Sequence, residues 1–291
     1  MSDLFDSQGG QISLGKKVGS GGEGAVYEVP SLEHGIVAKV YHEHVSHEKQ
    51  AKLRAMAGGC DESLRSIAAW PLRTLHADRG GPIRGFLMPK MAGHEPIHHL
   101  YGPSHRKQSF PEKDWTFLIN AARNTAAAFT VIHSHGHVIG DVNPNLVFVA
   151  PNSFVKLIDC DSFQIVAGGK NFLCEVGVPH FTPPELQKYT SFKGIRRTPN
   201  HDNFGLALLI FHLLLMGRHP FSGVFRGKGD MPIEKAIAEL RYAFGKNAAL
   251  KLMEPPPNAV TPAILPESLA ERFERAFAKD ASDGGARPTA R

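Results

Sequence analysis

The stretch HSHGHVIGDVNPNLVFV, residues 133 to 149, decides the fold: a helix ends at its start, a strand closes it, and the polar turn between them carries Asp141. Upstream, residues 111–134 read as one long helix, because Trp115, Leu118, Ile119, Ala122, Phe129 and Ile132 form an apolar stripe at helical spacing. Downstream, short strands at 146–149 and 155–158 flank a turn at 150–153. The second strand runs into IDCDSF, so Asp159 stands at a strand end as Asp141 stands in a turn. Two carboxylates presented in this way can divide labour: one orients or accepts a hydroxyl proton while the other holds a divalent cation.

Toward the N-terminus the pattern is strand-like. Residues 12–19, 25–29, 35–41, 67–75 and 83–89 read as strands separated by glycine or polar turns, and residues 46–56 as a short helix with Ser46 as its cap. That predicts a small antiparallel sheet with one helix, preceded by a disordered tail over residues 1–10. Between the first two strands lies VGSGGEGAVYEV, residues 18 to 29, whose Gly19, Gly21 and Gly24 suit a plain hairpin as well as a phosphate cradle. In VAKV, Lys39 interrupts an apolar strand. A lysine there is costly to bury unless its ammonium meets an anion, so beside a glycine loop it points to phosphate, the alternative being the solvent face of an edge strand.

Toward the C-terminus, residues 92–110 are irregular and link two halves, and 160–200 form a long ordered loop of the kind that usually serves function. Helices are expected at 201–216, 233–242 and 266–279. The expected architecture is therefore α+β and bilobal: a sheet lobe over 11–91 and a mainly helical lobe over 92–291.

Composition narrows the function classes. Hydrophobic residues at 42% and charged residues at 21% are ordinary globular values. The longest apolar run, 204–216, falls short of the ~20 residues a membrane span needs, and the polar N-terminus has no signal-peptide core. A net charge of +5 is spread along the chain, apart from short groups at His105 to Lys107 and Arg196-Arg197, so neither a nucleic-acid nor a membrane partner is expected. Three cysteines without metal-ligand spacing suit a reducing cytoplasm. The histidine groups at 42–48 and 133–137 lack a recognisable metal-binding order and read as hydrogen-bonded side chains.

Taken together, the glycine loop, Lys39, Asp141 and Asp159 resemble the protein-kinase fold over nearly the whole chain. The resemblance implies that Gly19, Gly21, Gly22 and Gly24, with Val18, cover ATP phosphates. It makes Lys39 the phosphate-binding lysine, Asp141 the catalytic-loop aspartate and Asp159 the metal-binding aspartate of D-F-G. In FLMPKMAG it implies a hinge, with Met88 as gatekeeper and Pro89, Lys90 and Met91 facing adenine, and it puts Val26, Ala38 and Phe148 in the adenine slot. Glu185 of TPPEL corresponds to the A-P-E glutamate, Arg287 of RPTA to its arginine partner, and Asp202 to the aspartate of the large lobe's central helix.

Departures from the family pattern matter as well. Ile139-Gly140-Asp141 stands where the family has H-R-D, so the arginine that senses a phosphorylated activation loop is missing. Asn143 replaces a lysine and could only hydrogen-bond a γ-phosphate, and Leu146 stands at the metal-binding asparagine. We expect Asn145, or Asp161 of Asp159-Cys160-Asp161, to share the metal with Asp159, and Glu48 to pair with Lys39.

The reading is an ATP- and Mg²⁺-dependent kinase, with Mn²⁺ as a second candidate metal, acting on serine or threonine of a protein substrate. The alternative is a nucleotide-binding pseudokinase. The G-D-V-N-P-N and D-C-D-S-F wording is similar to a bacterial group associated with a PP2C-type phosphatase and a von Willebrand factor A protein, which the resemblance implies as partners. The chain stops after RPTAR, where a kinase would continue a last helix, so a longer parent protein is expected.

Overall fold

The computed structural model describes residues 4–32, 35–284 and 287–291. Its first lobe is a curled antiparallel sheet of β1 (Leu4–Asp6), β2 (Gln11–Ile12), β3 (Lys17–Ser20), β4 (Gly24–Glu28), β5 (Ile36–Tyr41), β6 (Arg73–His76) and β7 (Ile83–Pro89), in the order β2-β1-β6-β7-β5-β4-β3. Two helices, α1 (His47–Gly58) and α2 (Glu62–Ile67), separate β5 from β6.

Three expectations change here. The tail read as disordered contains β1, which pairs with β2 and β6; residues 1–3 lie outside the described residues. The Asp6 carboxylate accepts hydrogen bonds from the backbone N–H groups of Gln8 at 2.9 Å and Gly10 at 2.8 Å and from Arg73 Nη1 at 3.0 Å. A single turn-locking carboxylate thus folds a polar segment back onto the sheet. The strand expected at 67–75 shrinks to Arg73–His76, because the Asp61 side chain accepts from Leu64 N–H at 2.9 Å and nucleates α2 ahead of it. The strand expected at 12–19 divides into β2 and β3.

Alternation along β5 positions the site. Val37, Lys39 and Tyr41 share one face, while Ile36, Ala38 and Val40 point to the other, where Ala38 packs with Leu4, Ile12, Leu75 and Leu87. Across the sheet, Lys39 lies opposite Val26 on β4 and Phe86 on β7. Gly85 pairs with Val40 so closely that a methyl group on it would overlap the Lys39 carbonyl oxygen. Gly85→Ala is therefore expected to cost about 1–3 kcal/mol, the range for overpacking, read as a lower midpoint in urea unfolding. An unchanged midpoint would mean that β5 and β7 can separate without penalty.

The second lobe is mainly helical. The segment read as an irregular link contains β8 (Glu95–Pro96), α3 (Ile97–Tyr101) and α4 (Pro103–Ser109), and α3 buries Ile97 and Leu100 completely. α5 (Trp115–Ser134) starts at Asp114, whose side chain accepts from Phe117 N–H at 2.9 Å. Of the stripe that predicted this helix, Leu118, Ala122, Phe129 and Ile132 are buried, whereas Trp115 and Ile119 face solvent. β9 (Val147–Val149) and β10 (Val155–Leu157) pair below the cleft. The following loop folds a hairpin, β11 (Ile165–Ala167) and β12 (Lys170–Phe172), against α1. Four helices complete the lobe among the described residues: α6 (Pro199–Leu214), α7 (Ile233–Ala238), α8 (Glu267–Ala276) and α9 (Lys279–Gly284). Around α6 an aromatic cluster closes the core, with Phe211 and Phe273 ring centres 5.1 Å apart and Tyr242 and Phe277 5.0 Å apart.

Candidate active site

Between the sheet and the helical lobe lies a cleft of about 590 Å³. Val18, Gly19, Gly21, Gly22, Gly24 and Val26 line it from the β3–β4 hairpin, Met88 to Met91 from the strand connecting the lobes, and Phe148 from β9. A side-chain carbon added at Gly19, Gly21 or Gly22 would meet nothing within 4 Å, so this backbone lies open to the cleft. Gly24 differs: a Cβ there would sit 2.5 Å from the Val40 carbonyl oxygen, so it is glycine for close strand packing. Lys39, Asp141, Asp159 and Asp161 line the same space. Ala38 does not; Val37, on the Lys39 face of β5, takes the place expected of it, and Ala69 and Ile158 add further apolar wall. A strict period of two along β5 would have identified Val37.

The lysine has an unexpected partner. Lys39 Nζ lies 2.8 Å from Asp161 Oδ1 and 3.5 Å from Asp159 Oδ1. Asp161 Oδ2 accepts from the Tyr41 hydroxyl at 2.7 Å and lies 3.5 Å from Lys49 Nζ, which also meets Glu23 of the glycine loop at 2.6 Å. Glu48 is not the partner: its carboxylate faces solvent, 4.0 Å from Lys170 Nζ. Glu48 is the only acid on α1, and the helix instead directs Lys49 to the cleft carboxylate, so the acid that steadies Lys39 comes from the strand-end turn.

Electrostatics fit this closed network. Burial, the largest influence on Asp161, opposes its charge, yet Lys39, Lys49 and the Tyr41 hydroxyl together hold its carboxyl below the ordinary range. Burial likewise works against the Lys39 ammonium, and Asp161 and Asp159 outweigh it and raise the lysine. Burial and the Asp161 charge push the Tyr41 phenol up, so it stays a hydrogen-bond donor. On α1, burial pushes Lys52 down to about 8.

The expected metal set narrows accordingly. Both Asp161 oxygens are engaged by protein donors. Asn145 is exposed and outside the cleft lining; its N–H donates to Asn143 Oδ1 at 2.9 Å, while Asn143 Nδ2 donates to the Asp141 carbonyl at 3.1 Å. Asn143 thus caps the turn Pro144–Leu146, and Leu146 is buried in the core. Neither asparagine reaches the cleft in the role expected of it. Asp159 remains: its side chain is 66% exposed within the cleft lining, and its backbone is held in the left-handed region at φ 51°. A single open carboxylate suits Mg²⁺, which usually takes most of its ligands from phosphate and water.

Asp141 sits on a turn fixed from behind. The buried Asp202 carboxylate accepts from Ile139 N–H at 2.7 Å, Gly140 N–H at 2.8 Å and His133 Nε2 at 2.8 Å. Asp141 Oδ1 is buried and has no hydrogen-bond partner, and burial raises its carboxyl above the ordinary range. Further out, Arg287 grips Glu185 with two bonds of 2.6 and 2.8 Å, as the family pairing implied. His135 Nε2 meets Asp61 Oδ2 at 2.9 Å, joining the turn before Asp141 to the start of α2.

No family model matches the sequence. Two curated relatives do. The chain is 49% identical over 289 residues to "Protein kinase YegI" of Escherichia coli (strain K12), and 48% identical over 289 residues to the protein of the same name in Escherichia coli O157:H7. Each match covers 99% of this chain and 44% of the relative, so the chain spans less than half the length of the curated relatives it matches. A curled sheet lobe, a helical lobe and a shared cleft give the chain a bilobal kinase-like fold, and nearly its whole length is similar to part of these two relatives.

Proposed function

We propose that the cleft binds ATP with Mg²⁺ and transfers the γ-phosphoryl group to serine or threonine hydroxyls of a protein. The observation that carries this reading is the buried, unpartnered Asp141 Oδ1 in a cleft shared with Lys39 and Asp159. An acceptor hydroxyl would satisfy that oxygen, which orients it and takes its proton as the oxygen–phosphorus bond forms and the bond to ADP breaks. Lys39, held by Asp161, meets the phosphates, and the open backbone at Gly19, Gly21 and Gly22 lets them approach. The apolar walls at Val26, Val37 and Phe148 suit adenine, with the chain at Pro89 to Met91 beside it. Asp159 would hold Mg²⁺, which supplies neutralisation of phosphate charge when bound.

The test is transfer of labelled γ-phosphate to general protein acceptors, followed by identification of the labelled residue. Label on serine and threonine supports the reading, and label confined to tyrosine overturns its specificity. The reading also sets a pH dependence. The base form of Asp141 exists only above its raised pKa, so kcat/KM should climb with pH through a limb lying above the ordinary carboxylate range. A pH–rate profile that is flat from pH 4 upward would remove Asp141 from the proton path.

A second reading has its own support. With Asp161 engaged, Leu146 buried and both asparagines turned away, Asp159 is the one open carboxylate of the expected metal set, which suits a nucleotide-binding regulatory pseudokinase. ATP protection against heat without any label would favour it. For either reading we place the work in the cytoplasm, where ATP is supplied; no helix among the described residues is long and apolar enough to cross a membrane. We also propose the PP2C-type phosphatase and the von Willebrand factor A protein as partners, tested by co-purification with this chain.

A further inference from the structure

Arg197 is 2% exposed and lies in the loop before α6, outside every motif of the sequence reading. Its guanidinium donates to the Gly140 carbonyl at 2.8 Å and to the Val176 carbonyl at 3.1 Å, and stacks 3.9 Å from the Phe192 ring. Its backbone N–H donates to Gln164 Oε1 at 2.7 Å, and its carbonyl accepts from Gln164 Nε2 at 2.9 Å. One side chain therefore ties the residue before Asp141 to residue 176 of the loop, while its backbone is tied to the segment just after Asp159.

Gly140 itself could not carry the missing arginine. Its φ is +80°, and a Cβ there would lie 2.7 Å from the Cys174 Cβ, so the loop packs directly on the catalytic turn. Between Asp159 and Glu185 the sequence has two hydroxyl groups, Ser162 and Thr182. Ser162 Oγ donates to the Asp159 carbonyl at 2.8 Å, and Thr182 Oγ1, on a residue 4% exposed, donates to the Val178 carbonyl at 2.9 Å. Thr182 is buried, and Ser162 lines the cleft, but each hydroxyl is already engaged by a carbonyl of the segment's own backbone.

We infer that Arg197 is the positioning residue for Asp141, holding the loop segment of residues 160–185 in its working arrangement without phosphorylation. The inference rests on the phosphotransfer reading. A charged arginine fork supplies from the far side of the turn the tie that a phosphorylated loop would otherwise need. Regulation must then act elsewhere than on this loop.

Arg197→Ala removes two charged hydrogen bonds, so kcat should fall by about 100-fold. The KM for ATP should stay near the parent value, because Arg197 does not line the ATP cleft. Arg197→Lys keeps the charge but not the fork, and should lose about ten-fold, the worth of one such bond. Parent protein shown by mass spectrometry to be unphosphorylated over 160–185 should transfer at full rate. An unchanged kcat in both variants, or activity that appears only after phosphorylation within that segment, overturns the inference. If Arg197→Ala does not fold, the lysine variant and the unphosphorylated parent decide it. Parent protein that transfers nothing sinks the phosphotransfer reading alone. Hydrogen exchange over residues 174–182 then tests the tie itself: it should quicken in Arg197→Lys, and unchanged exchange refutes the tie.

Discussion

Replacing Asp161 by alanine should destabilise the protein by about 3–5 kcal/mol, the usual cost of leaving one member of a buried ion pair alone. The Asp161 side chain is 2% exposed and that of Lys39 11%, so the variant leaves the lysine with Asp159 at 3.5 Å as its remaining acidic neighbour. The Tyr41 hydroxyl loses its acceptor at the same time. Urea unfolding measures the loss, and ATP binding without metal should weaken with it, because Lys39 is no longer aimed. A variant with parental stability whose ATP binding changes only in its metal dependence would return Asp161 to the metal and contradict the lysine pairing. The same network fixes a pH effect. Because the folded Asp161 carboxyl is held below its ordinary value, its contribution is fully present above the unfolded carboxylate range and is lost as pH falls through the folded pKa.

Asp141→Asn should lower kcat by about 10²–10⁴-fold, the range for removing a general base, while ATP still protects the fold against heat. Asparagine keeps the shape of the turn, since Asp202 anchors it through Ile139 and Gly140 and not through the Asp141 side chain. What is lost is the unpartnered oxygen that accepts a hydroxyl proton. Equal turnover in the variant would remove Asp141 from the proton path, whereas no turnover in the parent is what the pseudokinase reading predicts.

Elements set by local pattern were legible in the sequence. The long helix, the β9–β10 pair and the strand of Lys39 follow from local pattern, and the Glu185–Arg287 pair from what the family resemblance implies. Contacts between distant segments were not. Glu48 had the right charge on the right helix, but helix rotation directs Lys49 to the cleft instead. Asp161 read as a metal ligand because sequence gives a carboxylate no direction; the structure shows both its oxygens already taken. Ala38 was assigned to the wrong face of β5, an error that alternation alone corrects. Asn143 caps a tight turn and Asn145 is exposed on it, outside the cleft, a geometry that depends on burying Leu146. Arg197 carried no signal at all, since its partners are backbone carbonyls, which leave no trace in residue identity.

The most direct measurement of the central claim is incorporation of labelled γ-phosphate into a protein acceptor by the purified chain with Mg²⁺, beside heat stability with and without ATP on the same sample. The account predicts that ATP raises the melting temperature and that serine and threonine become labelled. Protection by ATP with no label, at any pH above the Asp141 limb, would contradict phosphotransfer and leave a nucleotide-binding module in its place.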